Sequence, residues 1–169
     1  MVYMKRLRYM RHAISDKNGY VSQEELDRAK NMLPNEKYTN IFYGPIYRTI
    51  QTALAIVAGL ETVYINEAIQ EIGDGRTVDV AMDTVRWMDE KGTRIQDYLS
   101  FLGGELNVAI VVASRGLVKM FGLMNDGGYG LAVGHGPMIE LLSGDKRKKI
   151  KNLEFVDFAQ DHDGNITVV

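Results

Sequence analysis

One of the chain's three histidines, His12, stands directly after Arg11 where a short β-prone run ends and "LRYMRHAISDKN" turns polar, carrying Ser15 and Asn18. Arg48 falls in the first turn of an expected helix, His135 stands at the start of another, and Glu67 and Glu71 follow the expected strand "VYIN". In a mostly parallel α/β sheet, ligands bind at the carboxyl ends of the strands, and every one of these residues belongs to that edge. Arginine offers a planar fork of donors matched to phosphate oxygens, and a helix N-terminus adds unsatisfied N–H groups and partial positive charge. A neutral imidazole nitrogen beside such a cluster can attack phosphorus itself, because it needs no separate base to remove a proton. The chemistry open to these side chains together is phosphoryl transfer, with a rigid strand end aiming His12 in line.

The elements that would hold them alternate between strand and helix. Residues 5 to 10 read as a first strand, although Arg6 and Arg8 make it more polar than a buried parallel strand usually is. "YVSQEELDRAKNMLP" starts a helix with Ser22 as N-cap, Glu25 completing a capping box and Val21 stapling Leu26, and Pro34 stops it. "TNIFYGPIYRTIQTALAIVAGL" reads as a strand ending near Tyr43, then a Gly44-Pro45 turn with Pro at a first helical position, then a helix closed by Gly59. "ETVYIN" is the next strand, followed by the loop "EIGDGRTVD" and a helix of roughly residues 80 to 102.

Over 105–124 the β-branched "VAIVVA" suggests a strand, but Leu106, Ile110, Ala113, Leu117, Met120 and Met124 recur at helical spacing, and the period decides for helix. "YGLAVG" is a strand leading to His135, "PMIELLSG" is a short helix with Pro first and Gly144 last, and "NLEFVDFAQDHDGNITVV" is a strand pair turning at Asp163-Gly164. This alternation indicates an α/β sandwich.

Size and composition fit one domain over residues 1–169: the apolar fraction is 46% and the charged fraction 25%. A net charge of -2 supplies no global field for gathering nucleic acid or anionic lipid, so any anion site must be made locally. With no cysteine there is no disulfide, thiolate metal site or Cys nucleophile, and no signal-peptide core or membrane-length apolar window appears. These features suggest a cytoplasmic protein.

Three blocks, "RHAISDKN", "YGPIYRTIQTA" and "VGHGPMIELL", resemble in order the Arg-His-Gly, Arg-x-x-Gln-Thr-Ala and His-Gly segments of the histidine phosphatase superfamily, the phosphoglycerate-mutase-like group. The similarity extends over nearly the whole chain in element order. The resemblance implies a three-layer α/β/α sandwich with a mostly parallel central sheet. It also implies that His12 becomes phosphohistidine, with Arg11, Arg48 and His135 forming the phosphate pocket and Gly136 beside it.

Ser15 and Asn18 stand three and six residues past the histidine, where the family often has phosphate-contacting residues. The family often places its proton donor in a Leu-x-Glu pattern after the third strand; "IQE" fits it, which favours Glu71 over Glu67. The sequence departs from the pattern at Ala13 for the commoner Gly, at Tyr43-Gly44 for a small Ser-Ser pair, and at Pro137 after the second His-Gly.

The activity implied is metal-independent hydrolysis of a phosphomonoester or phosphohistidine, with no cofactor. The partners are then phosphate and a small phosphorylated substrate or phosphoprotein, not nucleic acid or membrane. A phosphomutase and a non-catalytic phosphate-binding module are the alternatives. Plainer readings suffice elsewhere. His162 in "QDHDGN" fits a hairpin tip, "GDKRKKIK" a solvated connection, "GGYGLAVG" a strand entry rather than a dinucleotide loop, and the methionines core positions.

Overall fold

The computed structural model describes residues 4–33, 35–60, 65–72, 104–144 and 149–169, and the fold is built from these. Its strands are β1 (Lys5–Arg11), β2 (Asn40–Tyr43), β3 (Ile65–Ala68), β4 (Tyr129–Gly134), β5 (Phe155–Gln160) and β6 (Ile166–Val168). Its α-helices are α1 (Gln23–Lys30), α2 (Tyr47–Ala58), α3 (Gly104–Leu123) and α4 (Gly136–Ser143), with a single 3-10 turn at Gln70–Ile72. The helix expected over roughly 80 to 102, and Pro34, lie outside the described residues.

The strands form one sheet in the order β3-β2-β4-β1-β5-β6. The three pairings from β3 to β1 are parallel, and β5 pairs antiparallel with both β1 and β6. A tight turn can join only antiparallel strands, so the β5–β6 hairpin forces the one reversed strand in an otherwise parallel sheet. Asp161 organises that turn by accepting the N–H groups of Asp163 and Asn165, and Gly164 takes a φ of 86°. His162 sits at the tip beside Asp163, both exposed.

Two apolar layers close over the sheet. On one face Leu7, Tyr9, Phe42, Ala132 and Phe158 pack with Leu117, Met120 and Phe121 of α3 and Ile139 of α4. On the other, Met10, Ile41, Leu131 and Val133 pack with Ala29 of α1 and Ala53 and Ile56 of α2. The result is the expected α/β/α sandwich, with period two along the strands and helical spacing along α3 choosing the buried residues. No helix among the described residues is long and apolar enough to cross a membrane.

The polar character of β1 has a specific cause. Arg8 lies opposite Asp157 in the antiparallel register and grips both its carboxylate oxygens at 2.8 Å. A third bond, 3.0 Å long, goes to Glu36, and the guanidinium lies 3.9 Å from the Phe155 ring centroid. A paired and stacked arginine is compatible with a central strand, where an unpaired one would not be.

Five local expectations shift. Only half of the capping box forms: Ser22 accepts from the Glu25 N–H, but the Glu25 carboxylate turns away to Ile14 N–H and Arg28. Pro45 precedes the N-cap Ile46 instead of opening α2, and Gly136, not Pro137, is the first residue of α4. β3 runs on through Ala68, so Glu67 lies within the strand and not after it. Within the basic connection "GDKRKKIK", whose residues 145–148 lie outside the described residues, Lys151 is exposed but Ile150 is buried in the α3–α4 core layer.

Candidate active site

Register brings the site residues together. Arg11 is aligned with Gly134 and Tyr43 with Val133, so β1, β2 and β4 end level with one another. The ladder continues one step beyond the strands, with His12 N–H donating to Gly134 C=O and Gly44 N–H to Val133 C=O. His12 and His135 therefore emerge side by side, with ring centroids 4.8 Å apart in an edge-to-face arrangement. Arg48, the second residue of α2, reaches back over this edge and places its Nε 3.1 Å from His12 Nε2. Arg11, His12 and His135 are all buried.

Two independent contacts define the His12 tautomer. Its Nδ1 lies 2.6 Å from the carbonyl oxygen of Ala13, which can only accept, so Nδ1 carries the hydrogen. On the far side the Arg48 Nε–H can only donate, so in the neutral ring Nε2 presents its lone pair. The nitrogen beside the arginine is thus the one that holds the lone pair.

The surrounding "RTIQTA" residues build the mount. Thr52 Oγ1 donates to the Arg48 carbonyl at 2.7 Å and accepts the Ala13 N–H at 3.1 Å, tying α2 to the residue after His12. Gln51 accepts the Val21 N–H and holds the far end of the same loop. The Thr49 hydroxyl lies 2.6 Å from the carbonyls of both Gly44 and Ile46 and closes the turn into α2. From the other side Asn152 Nδ2 donates to the His12 carbonyl at 2.8 Å, and Leu153 N–H to that of Arg11 at 3.0 Å. Leu153 adopts φ 63°, a conformation that costs a branched residue about 1–2 kcal/mol and is held here by burial and by that bond.

Gly136, expected beside the phosphate pocket, also makes room for Arg11. A Cβ at this position would stand 3.0 Å from Arg11 Cδ and 3.1 Å from its Nη1, so the missing side chain lets the arginine lie flat against α4. Arg11 Nη1 also donates to the Ile150 carbonyl at 2.7 Å.

The remaining candidates are less closely joined to the histidines. Ser15 is half-buried in an isolated bridge to Val21, and Asn18 is exposed on a turn that Asp16 organises by accepting the N–H groups of Asn18 and Tyr20. Glu71 lies in the 3-10 turn after β3, its Cβ against Gly116 of α3 and its carboxylate 3.7 Å from Lys119. No hydrogen bond joins Ser15, Asn18 or Glu71 to His12. Tyr47, next to Arg48, packs edge to face with Tyr20 at 5.2 Å, and both rings are exposed. No group of three or more His, Asp or Glu among the described residues could hold a metal ion.

The sequence marks the candidate site residues but not Thr52, Asn152 or Glu140, the last of which accepts the Ile150 N–H. Thr52 had a signal, being part of the "RTIQTA" block one helical turn after Arg48. Asn152 and Glu140 had none, because each acts on a backbone group that only tertiary folding brings near.

Compared with solved structures, the chain is similar to phosphoglycerate mutase from Bacillus anthracis str. Sterne, with a TM-score of 0.70 at 16% identity over 99% of this chain and 92% of that one. It is similar to the alpha-ribazole phosphatase from Shigella flexneri, with a TM-score of 0.64 at 12% identity over 97% and 94%. The protein histidine phosphatase SixA complexed with tungstate gives 0.56 at 13% identity, again over 97% and 94%. No family sequence model and no curated protein matches the chain. The fold is the phosphoglycerate-mutase-like fold of these histidine phosphatases and mutases.

Proposed function

We propose that the chain is a metal-independent phosphatase that hydrolyses a phosphomonoester or phosphohistidine through a phosphohistidine intermediate on His12. The observation that carries this reading is the oriented pair of His12 and Arg48: Nε2 bears its lone pair within 3.1 Å of a guanidinium, with the ring pinned from behind by Ala13. In the first step Nε2 attacks phosphorus and the bond to the leaving oxygen breaks. Arg48 turns from Nε2 to an equatorial oxygen, and with Arg11 and His135 stabilises the charge that develops there. Glu71 protonates the leaving oxygen and then takes a proton from a water that attacks phosphorus as the bond to Nε2 breaks, releasing phosphate and restoring His12. Ser15, Asn18 and Gly136 complete the phosphate end of the site.

Phosphohistidine is the substrate favoured if Glu71 proves dispensable, since a protonated ring leaves without an added acid. The neighbours that are mutases keep a phosphomutase as the second reading. Product analysis with a phosphoglycerate decides between returning the phosphoryl group to substrate and losing it to water. The primary test is hydrolysis of p-nitrophenyl phosphate, with EDTA present, by wild type, His12→Ala and Glu71→Gln. The proposal expects the first variant to be inactive and to take up no acid-labile phosphate, and the second to be slowed. Wild-type turnover that survives His12→Ala would end it.

A further inference from the structure

Among the described residues, the mechanism above leaves one buried charged side chain unused. Glu140, the fifth residue of α4, is 3% exposed, and its Oε1 accepts the Ile150 N–H at 2.7 Å. The carbonyl of the same Ile150 accepts Arg11 Nη1, also at 2.7 Å. One residue is therefore held at both its polar groups, by a carboxylate on one side and the guanidinium on the other. Its side chain is fixed as well, packed in the core layer with Ile139 of α4.

Burying a carboxylate is unfavourable, and an apolar side chain would fill this position in the core without that cost. What the carboxylate adds that an apolar side chain lacks is a hydrogen-bond acceptor at this reach. Its recipient is a backbone amide in the connection between α4 and β5, where neither helix nor sheet supplies Ile150 N–H with a partner. Arg11 needs such an anchor. Its side chain leaves the strand end through several rotatable bonds, and the space left at Gly136 and the bond to the Ile150 carbonyl help to mark where the guanidinium stops.

We infer that Glu140 is a positioning residue: by holding Ile150 it sets the place of the Arg11 guanidinium, and so how that cation meets the phosphoryl group. The inference rests on the phosphatase reading. It assigns to Glu140 a hydrogen-bonding role, exerted through Ile150, and no contact with substrate.

The experiment is a double-mutant cycle. Glu140→Gln, Glu140→Asp, Arg11→Ala and the Glu140→Asp/Arg11→Ala pair are assayed for kcat and KM on p-nitrophenyl phosphate and for vanadate binding, with melting curves alongside. Gln keeps an acceptor at the same reach, whereas Asp keeps the charge but falls short by one methylene, too far for a hydrogen bond. Glu140→Gln should stay within about twofold of wild type. Glu140→Asp should lose on the order of tenfold in kcat/KM, chiefly through KM and with weaker vanadate binding, because a small misplacement of a binding group is enough. In the Arg11→Ala background the change to Asp should have no further effect on residual turnover.

The same factor in both backgrounds would mean a merely structural role and would overturn the inference. So would a loss in Glu140→Gln as large as in Glu140→Asp, which would show that an acceptor at this reach is not enough. If Glu140→Asp does not fold, Glu140→Met, which refills the volume without an acceptor, takes its place in the cycle. A wild type that neither turns over substrate nor binds vanadate would overturn the phosphatase reading itself, whereas an active wild type with an additive cycle would overturn only the role of Glu140.

Discussion

Replacing Tyr9 by phenylalanine should stabilise the protein. Tyr9, the fifth of the seven residues of β1, is fully buried, and its hydroxyl has no hydrogen-bond partner among the described residues. The oxygen rests on Gly134, where a Cβ would stand only 2.5 Å away. Leaving a buried hydroxyl unsatisfied costs about 1–3 kcal/mol. The void left by removing it is no larger than one water probe, roughly 10–15 Å³. At roughly 24 cal/mol per Å³ such a void returns only about 0.3 kcal/mol of that gain. Tyr9→Phe should thus gain about 1–2.5 kcal/mol, which for a chain of this size raises the melting temperature by roughly 2–10 °C.

Alkaline pH supplies an independent check. Burial pushes the Tyr9 phenol well above its ordinary value of 10.0. Because the folded value is the higher one, the contribution of the neutral phenol is intact below pH 10 and is lost as pH rises further and the unfolded chain sheds its proton. Wild-type stability should therefore fall, relative to Tyr9→Phe, by about 1.4 kcal/mol per pH unit above pH 10. The assay is urea denaturation of both proteins at pH 7 and at steps from pH 9.5 to 11. Equal midpoints at pH 7, or parallel decline above pH 10, would refute the reasoning.

Two further substitutions probe the mount of the site, and a third probes the ion pair within the sheet. Thr52→Val keeps the volume but leaves the buried Ala13 N–H unpaired, so it should cost about 1–3 kcal/mol in denaturation midpoint and slow turnover by loosening the backbone after His12. Gly136→Ala places a methyl group within 3.0–3.3 Å of three Arg11 atoms and should raise KM severalfold with little change in melting temperature, since a flexible side chain can give way but not to the same place. Asp157→Ala removes both carboxylate bonds from a largely buried Arg8; calorimetry should register a loss of about 2–3 kcal/mol, and kcat should hold because the pair lies three strand positions before Arg11.

Much of the molecule was legible before folding because its signals are local. Period separated helix from strand even over 104–123, where β-branched residues argued the other way, and glycine closed α2 and α4 at Gly59 and Gly144. The types and order of Arg11, His12, Arg48 and His135 were enough to suggest phosphoryl chemistry, since few other groupings of side chains combine a nucleophilic ring with fixed cations. What the sequence could not supply was anything that depends on register or on contacts across more than a hundred residues.

The level ends of β1, β2 and β4 set the 4.8 Å separation of the two imidazoles, and that alignment comes from pairing among strands far apart in the chain. Arg8 looked out of place until Asp157, 149 residues away, came opposite it. The support beneath Arg11 and His12 is likewise tertiary: Glu140, Ile150, Asn152 and Leu153 act through backbone groups whose partners no local pattern specifies. Side-chain chemistry is carried by residue type and can be read one residue at a time, whereas aim and distance belong to the packed chain as a whole.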